Sequence, residues 1–535
     1  MKVVQSFSMQ ANSVLIVLQT TRFVQISALA MIGLTAQALA QVGSAPTAYK
    51  IEEVRLGPLA GKSSTFVFSL DERHVAFLKG GTTGYLMTVN GLVPRTEGQS
   101  AVVDGQLAPR TDNVVEGSLT LGPDGKHVAY AARNGTKYAV VLDGQAGVDY
   151  DGVTTPFFSP DGKRLAHLAA KGKDKSLILV VDGQPIGTEY DTVGVAIFSP
   201  DSKRLAYTAR KGAKSLVVID GKAGAEYDDV IWSFLIFSAD SKHVAYVAKR
   251  NERSMVVVDG KEGSLYDGIG ADSLVFSPDG KRVAYEAQHG ALWSVVVDDR
   301  SSPDFNAVGK GSPVFSSDSK HVAYNAQHGR KWLIVLDGQM GTEYDTIAAP
   351  VFSPDGKRLA YKAWTGQKCS LVVDSKTGTQ YDTITFPTFS PDSKHVVYEA
   401  SKGGRNLVVV DDQAGADYDG IGGAVFSPDS KRVAYGAQSG QVWSVIVDDK
   451  AEAEYDGGVT PPIFSSDSKH VVYAAQKGRK HVVVLDGREG VEYDVIRSPM
   501  FNTDGSLEYL AIKDDALFRV KYTPTVRPSV SRGGR

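Results

Sequence analysis

Cysteine is almost absent from this chain of 535 residues. Cys369 stands alone, so no internal disulfide can form and stability has to come from burial and strand pairing. An excess of either charge is missing as well: 58 Lys and Arg face 61 Asp and Glu, for a net charge of -3. That balance gives no electrostatic footprint for nucleic acid, whose phosphates call for a basic stripe or patch. The compact motifs of catalysis and metal binding are also lacking, with no HExxH, CxxC, glycine-rich phosphate loop or G-x-S-x-G elbow. Neither an EF-hand run nor the Asp-box of sialidases occurs. Beyond residue 40 no segment has the apolar period of a helix, and none reaches the roughly 20 apolar residues of a bilayer span.

What the chain has instead is one decamer, written repeatedly. FSPDGKRLAH begins at Phe158, FSPDSKRLAY at Phe198, FSPDGKRVAY at Phe276 and FSSDSKHVVY at Phe464. Degenerate copies at Phe68, Leu121 and Phe501 extend the series to twelve anchors, spaced 37 to 40 residues apart except for a first interval of 53. A period of this length marks a repeat architecture in which no unit buries a core alone.

Each unit reads as four strands. In the unit of Phe276 the strand SLVFS runs into the turn SPDGK, where Pro fixes φ, Asp bonds nearby N–H groups and Gly permits an unusual backbone. RVAYEA then alternates as a half-buried strand, and WSVVVDD reads as a strand buried on both faces. Asp-Gly after this third run, as at Asp143, Asp182, Asp220, Asp259, Asp337 and Asp486, signals a tight hairpin. The fourth strand is expected to carry the Tyr-Asp pair and the small apolar group after it, with Tyr packing an outer strand and Asp bonding in the following loop.

Four short antiparallel strands per unit make a propeller blade. The decamer FSPDGK-x-[ILV]-A-[FY] resembles the repeat of TolB-like propellers, related in shape to WD repeats, over residues 50 to 522. The resemblance implies an all-β propeller of about twelve four-stranded blades and implies no activity. It also marks what differs: no α/β domain precedes the repeats, as one does in TolB, and no α/β-hydrolase accompanies them, as in prolyl oligopeptidases. After Phe501 only three strands follow, whereas residues 49–58 form one strand too many before the first anchor, so the two ends are expected to share a blade. One large closed ring is favoured over two six-bladed rings with a boundary near 305–312, where Tyr-Asp becomes Phe305-Asn306.

Residues 1–40 read as a signal peptide, with an apolar stretch from Phe23 and an A-x-A site at Ala38 and Ala40. Retention as an anchor is the alternative, and Met9 is a second candidate initiator. Residues 41–48 read as a linker and 523–535 as a disordered tail. The expected location is periplasmic or secreted, as a monomer.

The repeated Asp residues of the SPDGK turns, being present in every unit, are assigned to the fold. His127, His243, His321, His395 and His470 share a slot with Arg and read as surface alternates. Binding is expected where units differ, in basic loops between second and third strands: Lys171, Lys173, Arg210, Lys211, Lys249, Arg250, His289, His328, Arg330, Lys402, Arg405, Lys477 and Arg479. Such a rim suits an anionic partner, either an acidic protein or an envelope polysaccharide. The insertion at residues 92–113 would project from the first unit. No catalytic residue, metal or cofactor is expected; the alternative is a propeller lyase or hydrolase acting on polysaccharide in a channel.

Overall fold

The computed structural model describes residues 117–172 and 176–525, together with strand segments between 48 and 115. Nearly all of them belong to one unit, Lys50–Thr523; the other, Met1–Tyr49 with Pro524–Arg535, contributes only a few. The expectations for the leader, most of the linker, the end of the tail and Lys173 lie outside the described residues.

The described chain is all-β, a succession of four-stranded antiparallel sheets of the kind that make propeller blades. A regular unit runs Thr192–Phe198, Leu205–Lys211, Lys214–Ile219 and Lys222–Tyr227, paired in that order. Elsewhere the first strand is split, as in Gly268–Ile269 and Val275–Phe276, which both pair with Val283–His289. The strand Ala48–Pro58 lies beside Ala516–Thr525 in the sheet that also holds Leu507–Lys513 and Val495–Phe501. Within residues 92–113, Val102–Val103 pairs with Gln106–Leu107.

One expectation about the strands is corrected. The Tyr-Asp pair does not sit inside a fourth strand: Lys222–Tyr227 ends on the tyrosine, and Asp229 already begins the first strand of the next sheet. The chain changes sheets at the aspartate because that carboxylate is needed across the boundary. Asp191 accepts a hydrogen bond from Gly212 N at 2.6 Å, and Asp345 one from Gly366 N at 2.7 Å, each in the loop of the following unit.

The tyrosine is likewise an element of the boundary. Tyr190 meets Tyr207 of the next sheet edge to face at 6.2 Å, and the same pair recurs as Tyr227 with Tyr246, Tyr381 with Tyr398 and Tyr455 with Tyr473. Each such pair is worth about 0.5–1.5 kcal/mol beyond its burial. The apolar clusters lie between sheets too: Ala206 and Val217 of one pack with Val244, Met255 and Val257 of the next. The irregular ending near residue 305 keeps the same arrangement. Phe305 meets Tyr324 at 6.1 Å, and Asn306 Oδ1 accepts from Gly329 N at 2.8 Å.

The decamer builds a second, polar part of the boundary. Ser277 Oγ donates to Asp279 Oδ1 at 2.6 Å and accepts from Arg282 N, and Asp279 also takes the Lys281 N–H, so the turn is closed upon itself. Arg282 then reaches three ways: to Asp298 of its own sheet at 2.8 Å, to Ser319 O and Lys320 O of the next, and over the Phe315 ring at 5.2 Å. Arg164, Arg204, Arg358 and Arg432 do the same.

Every one of these five arginines faces a unit whose turn carries Ser in place of Gly: Ser202, Ser241, Ser319, Ser393 and Ser468. These serines hold a left-handed backbone with φ between 62° and 65°, a strained state for a residue with a Cβ. The compensation crosses the boundary, because each hydroxyl accepts the N–H of the preceding turn aspartate, as Ser319 does from Asp279 at 2.9 Å. Four of the five histidine units face Gly instead, at Gly162, Gly280, Gly356 and Gly505. A Cβ on Gly280 would lie 2.6 Å from Asp240 Oδ1. The histidines are therefore more than surface alternates: His243 Nδ1 bonds Asp259 at 2.6 Å and His470 bonds Asp486 at 2.6 Å, in the place of the guanidinium.

Replacing Arg282 by Ala is expected to lower stability by about 1–3 kcal/mol, because it removes an ion pair, two carbonyl contacts and a cation–π contact from one boundary. Lys281→Ala, which loses only an exposed contact to Asp279 at 3.7 Å, should cost about 0–0.5 kcal/mol. Ser319→Ala should cost more than Ser319→Gly, since alanine keeps the strain and loses the bond. Denaturant midpoints of the four variants check this, and equal shifts for Arg282→Ala and Lys281→Ala would refute it.

Candidate functional site

Four of the candidate residues in the loops between second and third strands are held by acids. Arg250 forms two 2.7 Å bonds to Glu262 and lies 5.6 Å over Tyr227. Arg405 is held by Asp417 and Asp419, Lys477 by Glu489 at 2.9 Å, and His328 by Glu343 at 3.1 Å. His289 instead rests edge-on against Tyr266 at 5.1 Å, so the two loop histidines turn to different partners. Arg210 bonds Gly212 O of its own loop. Lys171, Lys211, Arg330, Lys402 and Arg479 are exposed, Lys249 is half-buried, and none of these six makes an ion pair among the described residues.

Acids are interleaved with these cations at every step. Lys137 pairs with Asp151, Lys331 with Asp345 and Lys480 with Asp494, each at 2.5 Å. The hydrogen bond from the lysine is the main cause holding each of the three aspartates below the usual carboxylate range. The loops thus present alternating sign. Among the described residues, no group of three or more His, Cys, Asp or Glu is placed to hold a metal ion, and Cys369 is a buried free thiol whose pKa burial raises.

A different set of residues breaks the repeat inside the second strands. The fourth residue of each second strand is Ala131, Leu168, Thr208 and Val247 in four consecutive units, then Glu286, Asn325, Lys362 and Glu399 in the next four, then Gly436, Ala474 and Leu510. Four adjacent sheets therefore carry large polar groups in a position otherwise small or apolar apart from Thr208.

The backbone at this position is tied to a bulge of the first strand. Glu286 N donates to Ser273 Oγ, Asn325 N to Ser312 Oγ and Glu399 N to Thr385 Oγ1. Small residues in the bulge make room for the side chains: a Cβ on Gly270 would come 2.3 Å from Glu286 Oε2, and one on Gly309 would come 2.1 Å from Asn325 Nδ2.

Electrostatically the four differ. Burial alone pushes Glu286 up to about 7, and burial lowers Lys362. The Lys362 ammonium donates to Ile384 O at 3.2 Å and lies 5.3 Å from the Trp364 ring and 4.4 Å from the Phe386 ring. Phe386, in the bulge of the following sheet, is 60% exposed. Glu399 Oε1 accepts from Ala424 N of the next unit at 3.3 Å. The arrangement offers a carboxyl that titrates near neutrality, an ammonium and an exposed aromatic ring, with the amide of Asn325 buried and its oxygen bonded to Ser312 Oγ. Its signal in the sequence is a comparison of one column across units.

A pH test follows from Glu286. Its folded pKa lies above the unfolded value of 4.5, so the folded chain binds the proton more tightly and stability falls as pH rises from about 4.5 to about 7. Glu286→Gln should therefore stabilise the chain by about 1–2 kcal/mol at pH 8, a figure reduced for solvent access, and much less at pH 5. Unfolding midpoints at the two pH values measure this; a gain independent of pH would contradict the assignment.

No family model matches the chain, and no curated protein matches it. Solved structures similar to it include a eukaryotic initiation factor, 13% identical over 75% of this chain and 99% of that one, with a TM-score of 0.31. The β-propeller domain of the trilobed protease from Pyrococcus furiosus is 14% identical over 48% of this chain and 96% of that one, with a TM-score of 0.25. TolB from Acinetobacter baumannii is 17% identical over 49% and 78%, with a TM-score of 0.21.

Proposed function

We propose that this chain is an exported, non-enzymatic β-propeller of twelve blades closed into one ring, acting as a binding scaffold for a protein or carbohydrate of the cell envelope. Support for a single ring comes from the boundary between the units of Phe276 and Phe315. Arg282 clasps Ser319 there as its counterparts do elsewhere, and Phe305 and Asn306 take over the roles of Tyr and Asp. The strand Ala48–Pro58 in the last sheet suits closure by the two chain ends. Export rests on the apolar stretch from Phe23 to Ala40 and its A-x-A site. Among the described residues, no helix is long and apolar enough to cross a membrane.

The observation that carries the binding reading is the division of labour among polar residues. Turn Ser and Asp, the Arg or His after them and the Asp of the Tyr-Asp pair are taken up in bonds within and between sheets, and the Tyr in ring contacts. The column from Glu286 to Glu399 is the localised departure from that scheme, and in a closed ring the first strands whose bulges adjoin it would line the channel.

Immobilised full-length chain is expected to retain a component of envelope extract, and less of it when Glu286→Gln and Lys362→Met are combined. Retention unchanged by the double substitution would remove the column from the site. Failure to retain anything, or turnover of a polysaccharide by the purified chain, would defeat the scaffold reading.

A further inference from the structure

We propose that Glu286, Asn325, Lys362 and Glu399, with the ring of Phe386, form a subsite for a neutral oligosaccharide that runs across the sheets bearing them. This rests on the scaffold reading above and names its ligand. The first argument is placement. The four polar residues occupy one register position on four consecutive second strands. Glu286, Lys362 and Glu399 are half-buried, while Asn325 is buried with its Oδ1 accepting from Ser312 Oγ, so a ligand following the column meets an accessible polar group at three of the four sheets. A globular partner could touch them, but a chain molecule matches their linear order.

The second argument is spare bonding capacity. Glu286 makes no side-chain hydrogen bond among the described residues, Lys362 spends one of three donors on Ile384 O, and Glu399 uses one oxygen for Ala424 N. A carboxylate only accepts, an ammonium only donates, and a carboxyl near its midpoint does either. Hydroxyl groups, each both donor and acceptor, satisfy such a mixture, whereas a phosphate or carboxylate ligand brings acceptors alone.

Apolar contact supplies the third argument. One side of Phe386 is turned to the Lys362 ammonium, yet the ring is 60% exposed. The remaining surface is a flat platform of the size of a pyranose, whose C–H face stacks on aromatic rings while its hydroxyls point to the edges. Charge then selects among sugars. Two carboxyl groups against the single ammonium of Lys362 leave no net positive charge in the column, so a polyuronate finds one cation to pair with and no excess of positive charge along its length. The neutral glycan is favoured over the acidic one, the reverse of what the loop cations alone would suggest.

The experiment is calorimetric titration of the full chain with cellohexaose, maltohexaose, chitohexaose and hexagalacturonate. At least one neutral hexasaccharide should bind, and more tightly than hexagalacturonate. Phe386→Ala should weaken that binding by about five- to tenfold, Glu399→Gln by a few-fold, and Phe386→Tyr should preserve it. Lys357→Ala, an exposed turn lysine away from the column, should leave it unchanged, and unfolding midpoints verify that each variant is folded. Absence of neutral-sugar binding, preference for hexagalacturonate, or indifference to Phe386→Ala overturns the proposal. Should a protein be captured from extract through the same residues with no sugar bound, the scaffold reading survives and this inference fails. With neither captured nor bound, both fail.

Discussion

A four-stranded sheet of fewer than forty residues has two apolar faces and no helix to cover them, so it can be buried only by the sheets on either side. In this chain that requirement puts both the cores and the recurrent polar bonds at the boundary between neighbours. Tyr207 is fully buried, yet its ring partner Tyr190 belongs to the preceding unit. The turn aspartates and the arginines after them also complete their bonds one unit further on. Stability is then a property of pairs of units, and a substitution at one boundary is felt at that boundary first.

The boundary explains why units differ where they do. Arg in one unit occurs with Ser in the turn of the next, and the two make separate bonds over the same gap. The serine accepts a left-handed backbone that glycine would adopt freely, at a cost of about 1 kcal/mol, comparable to the hydrogen bond it gains. Where His replaces Arg, the imidazole bonds Asp of its own sheet and makes no carbonyl contact with the next turn, and that turn is usually Gly. Ser430, which faces His395, keeps the bond to Asp392 N at 2.9 Å without an arginine. Two grades of boundary thus occur along the chain, one with Arg and one with His. His470 has its pKa raised mainly by the hydrogen bond its ring donates to Asp486, so its contribution is present at acid pH and lost as pH rises through the folded pKa.

Reading units one at a time recovers what lies within a unit. The strands, the closed SPDGK turn and the tight hairpin at Asp182 or Asp220, both with φ near 50°, follow from local chemistry. The same reading misplaces whatever acts between units, since the partner of Tyr190 or Arg164 stands in the next copy of the motif and looks like repetition. The tyrosine does end the outer strand, as at Tyr190, but its contact with Tyr207 of the next sheet is invisible within one unit. Glu286 escaped because within RVAYEA it reads as an ordinary polar residue of an alternating strand. Only alignment of the eleventh with the sixth and the second unit shows that Ala474 and Ala131 stand in its place.

The same physics separates structure from function along the repeat. A residue that must satisfy two sheets at once is constrained by both, and the Ser, Asp, Arg and Tyr of the motif are constrained in this way in unit after unit. At the fourth position of the second strand the backbone is what recurs, bonded to the hydroxyl or carbonyl of the adjoining bulge, while side-chain bonds such as those of Lys362 and Glu399 differ from unit to unit. The side chain there can therefore change from Ala to Glu or Lys without disturbing a boundary, provided the bulge supplies a small residue such as Gly270. Gly309 meets the same condition for Asn325. A repeat protein that must acquire one asymmetric site has to place it where the repeat tolerates difference, and the run from Glu286 to Glu399 occupies such a place.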